Sequence, residues 1–166
     1  MRFAYADPPY IGQAKKHYGK EATYGGEVDH KVLIERLILE YPDGWALSCS
    51  SPSLKQILTY CPNDVRVMAW VKPFASFKPN TNPAYAWEPV VVYRGRRRTR
   101  QQETERDWVA ANITIKKGLT GAKPKKFIHW LFNIFNIQPG DELHDLFPGT
   151  GIVGSEAKKY LQQRHL

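Results

Sequence analysis

The chain has 166 residues, 24 basic and 16 acidic side chains, a net charge of +8 and a hydrophobic share of 42%. That length suits one domain, and that apolar share excludes a disordered chain. The excess of positive charge points to a polyanionic partner, nucleic acid first.

Residues 2–6 are short and apolar-leaning and stop at Asp7-Pro8, which predicts a first strand ending there. Residues 11–27 are polar and glycine-rich and read as a loop. Val28, Val32, Leu33 and Leu37 recur at helical spacing, and Tyr41-Pro42-Asp43-Gly44 stops that helix. Residues 45–49 predict a second strand. Ser51 followed by Pro52 reads as an N-cap, opening a helix with Leu54, Ile57, Leu58 and Cys61 on one face. Residues 65–71 predict a third strand and residues 90–93 a fourth. Between them, residues 73–89 hold four prolines and four aromatics and read as an irregular loop.

Residues 94–122 are polar, with the densest positive charge. Phe127, Trp130, Leu131, Ile134 and Phe135 mark a strongly apolar helix, and Pro139-Gly140-Asp141 a turn. Residues 143–147 predict a fifth strand, which enters a glycine turn and a last short helix. Strands alternating with helices predict one α/β domain over residues 1–166, built on a mostly parallel sheet.

Cys49 and Cys61 show no C-x-x-C spacing and make no disulfide framework, which fits a reducing cytoplasm. No stretch has the length of a signal peptide's apolar region or the roughly 18 apolar residues of a membrane span. His17, His30, His129, His144 and His165 lack metal-ligand spacing, so no metal is expected.

Two short motifs carry chemistry. Gly149-Thr150-Gly151-Ile152-Val153-Gly154 matches G-x-G-x-x-G between a strand and a helix. Glycines there let backbone N–H groups approach a ligand closely. A dinucleotide site would need a further strand with an acid about 20 residues on. A permuted sheet is the alternative, with the glycine strand last in sequence but beside the first strand in space. Ala6-Asp7-Pro8-Pro9-Tyr10 would then lie next to the glycine turn, at the carboxyl ends of both strands.

Asp7-Pro8-Pro9-Tyr10 resembles the catalytic motif of S-adenosylmethionine-dependent amino-methyltransferases that act on adenine N6 in DNA. Asp145-Leu146-Phe147-Pro148-Gly149-Thr150-Gly151 resembles that family's cofactor motif, and Lys123-Pro124 its K-P element. The order, catalytic motif first and cofactor motif last, resembles the permuted β class. The resemblance spans residues 1–154 and implies a Rossmann-like methyltransferase fold with S-adenosylmethionine as cofactor. It implies duplex DNA with a flipped adenine as substrate, inside a prokaryotic or phage-infected cell, as in restriction-modification, with a homo-oligomer or partner subunit as further options. Family members continue into a strand whose acid binds the cofactor ribose. That acid is not found up to Leu166, which leaves a cofactor held without it, a minimal or oligomeric enzyme, or a fold that has lost activity.

The roles the resemblance implies are these. Asp7 and the Pro8 carbonyl accept hydrogen bonds from the adenine amine, while the fixed φ of Pro8 and Pro9 pre-positions them. Tyr10 stacks on the extruded base. Ala6, Asp7, Lys123, Pro124, Asp145, Phe147, Gly149, Thr150 and Gly151 line the cofactor. Arg94, Arg96, Arg97, Arg98 and Arg100, with Lys15 and Lys16 after the catalytic motif, are candidate phosphate contacts, residues 94–122 being the candidate target-recognition segment. The alternatives are transfer to cytosine N4, RNA or a protein amide, and a weakly active or inactive nucleic-acid-binding protein with this fold.

Overall fold

The computed structural model describes residues 1–12, 27–74, 79–113 and 123–163. In chain order it contains β1 (Arg2–Ala6), α1 (His30–Glu40), β2 (Gly44–Ser48), a 3-10 turn (Ser51–Ser53), α2 (Leu54–Tyr60), β3 (Arg66–Val71) and β4 (Trp87–Arg94). β5 (Trp108–Ala110), α3 (Lys125–Phe135), β6 (Glu142–Asp145) and α4 (Ile152–Gln163) follow. The six strands form one sheet in the order β5-β3-β4-β2-β1-β6. β1 pairs in parallel with both β2 and β6, and β3 with β5. Only β4 is reversed, lying antiparallel to both β2 and β3.

Alternation along the strands explains the layers. Phe3 and Tyr5, Ala46, Met68 and Trp70, and Val90 and Val92 point to one face, where Phe127, Leu131 and Phe135 of α3 and Val153 of α4 cover them. Ala4 and Ala6, Trp45 and Leu47, and Val91 and Tyr93 point to the other, under Leu33, Ile34 and Leu37 of α1 and Ile57 of α2. Phe3 stacks on Phe135 with centroids 5.1 Å apart on the first face, and Trp45 on Tyr93 at 5.4 Å on the second. Among the described residues no helix is long and apolar enough to cross a membrane.

Asp29 caps α1, accepting from the amides of Lys31 and Val32. The buried stripe of that helix is His30, Leu33, Ile34 and Leu37, so the expected stripe is rotated: Val32 is exposed and Ile34 takes the core position. α3 is buried more widely than its sequence spacing suggests, Ile128 and Phe132 joining the core, and Asn136 in the left-handed region ends it. Two strand expectations need correction. β5 lies inside the segment read as polar loop, and β4 begins at Trp87, three residues before the predicted start. Pro89 sits within β4 because its missing donor costs little there: its carbonyl accepts from Cys49 N–H where β2 is ending.

At the amino edge of the sheet, the buried Asp141 carboxylate accepts a bond from the Met1 ammonium at 2.8 Å, two from Arg96 Nη2, at 2.6 and 2.8 Å, and one from the Gln138 amide. Burial alone would raise its pKa, but these donors hold it below its ordinary value. Asp141→Ala strips Arg96 of that partner. We expect a loss of about 2 kcal/mol, read as a fall in Tm of roughly 4–8 °C in a calorimetric scan.

Candidate active site

β1, β2, β3 and β6 run the same way, so their carboxyl ends share one edge. Reversal of β4 brings its amino end to that same edge. Extending the α3-facing series of each strand to this edge turns apolar residues into polar ones: Phe3, Tyr5, then Asp7; Ala46, then Ser48; Met68, Trp70, then Lys72; Val92, Val90, then Glu88. One face of the sheet thus ends in a polar cluster built by period-two alternation.

The first residues of the glycine motif join it. Tyr5 pairs with Asp145 in the β1–β6 register, and Leu146 N–H donates to the Tyr5 carbonyl at 2.9 Å. The catalytic-like tetrad and the glycine turn therefore leave adjacent parallel strands, although 138 positions separate Asp7 from Asp145.

Lys123 sits at the centre, only 6% exposed. Its Nζ is 2.7 Å from Asp7 Oδ2 and 3.8 Å from Glu88 Oε2, and it lies 5.3 Å from the Trp70 ring centroid. It precedes Pro124, the N-cap of α3, at the positive end of that helix. A buried ammonium in that place is tolerated because the two carboxylates compensate it. Glu88 accepts from Tyr10 Oη at 2.7 Å and from Lys72, and the Lys123 ammonium lies 3.8 Å away as a second cation. Burial alone would raise the Glu88 pKa, but Lys123 and Lys72 outweigh it and hold the carboxyl below its ordinary value. Burial, then the Glu88 and Asp7 carboxylates, push the Tyr10 hydroxyl far above its usual range, so Tyr10 is a neutral donor. Tyr5 is raised in the same way by burial and Asp7, and it shares a 2.9 Å hydrogen bond with Ser48.

Asp145 is half-buried and accepts from the Phe147 amide at 3.2 Å. Burial raises its pKa, the Phe147 bond opposes that, and the nearby Asp7 charge adds to the rise. Phe147 itself packs against the α1 side of the core. Gly149 and Gly151 take φ of +45° and +70°, which only glycine adopts readily, and residues 149–151 are exposed. α4 starts at Ile152, so its positive end faces the turn. Burial pushes the Cys49 thiol, at the end of β2, up to about 12, which leaves no thiolate nucleophile there near neutral pH.

Not every expected residue reaches this edge. Lys15 and Lys16 lie outside the described residues. The arginine run follows β4, and because β4 is reversed the run emerges at the amino edge, opposite Asp7. Arg96 is tied to Asp141, Arg98 donates to the Asn133 carbonyl at 2.5 Å, and Arg94 lies over the Tyr93 ring, 3.6 Å from Asp64. Arg97 and Arg100 are exposed there. The direction of one strand thus places this run on the opposite edge of the sheet from the tetrad. Conversely, Glu88, Lys72 and Ser48 were absent from the sequence expectation. Their signal was the polar residue closing each alternating apolar series.

No protein-family model and no curated protein matches the sequence. Solved structures do match in shape. The M1.HpyAVI–SAM complex superposes with a TM-score of 0.60 at 15% identity, covering 95% of this chain and 77% of that one. A second structure of M1.HpyAVI gives 0.57 at 16%, covering 95% and 75%. The chain thus shares the Rossmann-like α/β fold of M1.HpyAVI over nearly its whole length.

Proposed function

We propose that this protein transfers a methyl group from S-adenosylmethionine to N6 of adenine in DNA. The observation that carries the reading is the parallel β1–β6 pairing, which sets Asp7 beside the Asp145–Gly151 turn. It is supported by the shared fold of M1.HpyAVI, whose structure was solved as a SAM complex.

The residues present fit such a cofactor. The exposed backbone of Gly149, Thr150 and Gly151, at the start of α4, suits a carboxylate. Asp145 offers an acceptor for an ammonium or hydroxyl group, with Ala6 and Lys123 on the adjoining strand end and helix start. When bound, S-adenosylmethionine supplies an electrophilic methyl group.

The chain's own residues then act on the amine. Adenine N6 is a poor nucleophile because its lone pair is delocalised into the ring. Asp7 and the Pro8 carbonyl accept hydrogen bonds that strengthen as nitrogen gains positive character, which favours the transition state over the ground state. Glu88 fixes the Tyr10 hydroxyl, so the ring is held ready to stack on an extruded base.

The test is incubation with methyl-labelled cofactor and separate pools of duplex DNA, RNA and protein, followed by digestion. Label in DNA as N6-methyladenine is the expected result. Label in RNA, protein or N4-methylcytosine alone would overturn the substrate assignment.

A further inference from the structure

An open groove of about 580 Å³ lies at the same edge of the sheet, lined by Ser51, Pro52, residues 80–85 and Trp87. Its volume falls in the ~300–1,000 Å³ range of sites for small organic groups. We propose that this groove binds unpaired bases of the DNA strand that flank the target adenine, a reading that rests on the function proposed above.

Two features choose that occupant. The lining residues carry no ionisable acid or base near neutral pH, although the whole chain is +8. A site for phosphates would display cations, whereas Tyr85, Trp87, Asn80 and Asn82 offer ring faces and amide groups, the means by which neutral bases are held. Tyr85 and Trp87 are large aromatics left 59% and 41% exposed. The groove also adjoins the candidate site along β4. Trp87 directly precedes Glu88, the residue that holds Tyr10. By strand alternation Trp87 turns to the α1 and α2 side, where Ser51 and Pro52 open the helix after β2, while Glu88 turns to the Asp7 side. A strand whose adenine entered against Tyr10 would meet Trp87 next.

The test is fluorescence anisotropy of a labelled single-stranded DNA oligonucleotide, with wild type, Trp87→Ala, Tyr85→Ala and, as an exposed control away from the groove, Trp108→Ala. Trp87→Ala is expected to weaken binding about tenfold, the scale of one lost base–aromatic stack. The salt dependence should keep its slope, because no phosphate contact is removed, and Trp108→Ala should bind like wild type. An oligonucleotide with abasic sites flanking the adenine should bind wild type about tenfold more weakly and Trp87→Ala with no further loss. Equal affinities of Trp87→Ala and wild type, or equal discrimination of the abasic strand by both, would overturn the groove assignment alone. Absence of wild-type binding to any DNA would overturn it together with the proposed substrate.

Discussion

Asp7→Ala is expected to reduce methyl transfer by about 10²–10³-fold or more, the cost of removing one pre-positioned group that meets charge developing in a transition state. Cofactor affinity should stay within a few-fold of wild type, because the glycine turn belongs to a different strand. The substitution has a structural consequence that must be separated from the chemical one. Lys123 Nζ would lose its carboxylate partner at 2.7 Å while only 6% exposed, with Glu88 farther off at 3.8 Å. A fall in stability of about 1–3 kcal/mol should accompany it. The double variant Asp7→Ala with Lys123→Met removes the buried charge along with its nearest partner. It should regain much of the lost Tm and none of the activity. Normal transfer by Asp7→Ala would show that the carboxylate has no part in the reaction.

Glu88→Ala is expected to be the most destabilising change at the carboxyl edge. It leaves two ammonium groups, Lys72 and Lys123, and the Tyr10 hydroxyl facing a space that held their shared acceptor. The loss should be about 3 kcal/mol, the lower end for breaking a buried pair because Glu88 and Lys72 keep some exposure. Glu88→Gln preserves the shape and isolates the charge. The folded protein holds the Glu88 pKa below its ordinary 4.5. A depressed carboxyl pKa stabilises the fold above the unfolded value and loses that contribution as pH falls through the folded value. The Tm gap between wild type and Glu88→Gln should therefore be full at neutral pH and close progressively below about pH 4.5. A gap that is constant with pH, or that widens in acid, would mean the lysines do not stabilise the charged form.

The parts of the site visible in the sequence were those whose residue order has local meaning. Asp7-Pro8-Pro9-Tyr10 had to end a strand because two prolines cannot continue one. Gly149 and Gly151 marked a turn because glycine takes the left-handed backbone such turns need at no steric cost, as both do. Their adjacency followed from the strand order inferred for a permuted sheet, and the β1–β6 register bears it out. What the sequence hid was strand direction. Val90–Tyr93 reads as an apolar strand in either sense, yet its reversal carries Arg94 and the following arginines to the amino edge and Glu88 to the carboxyl edge. Pro89 concealed Glu88 further, because proline argues against a central strand unless its absent donor meets the end of a neighbour. β5 escaped notice because three residues are too few to show a period.

The central claim is that the early carboxylate and the late glycine turn serve one ligand. A crystal structure of the protein soaked with S-adenosylmethionine tests it most directly. The methionine part should lie on the backbone of Gly149–Gly151, with the methyl group directed to Asp7. Cofactor seated away from that turn, or seated there with its methyl directed away from β1, would contradict the account.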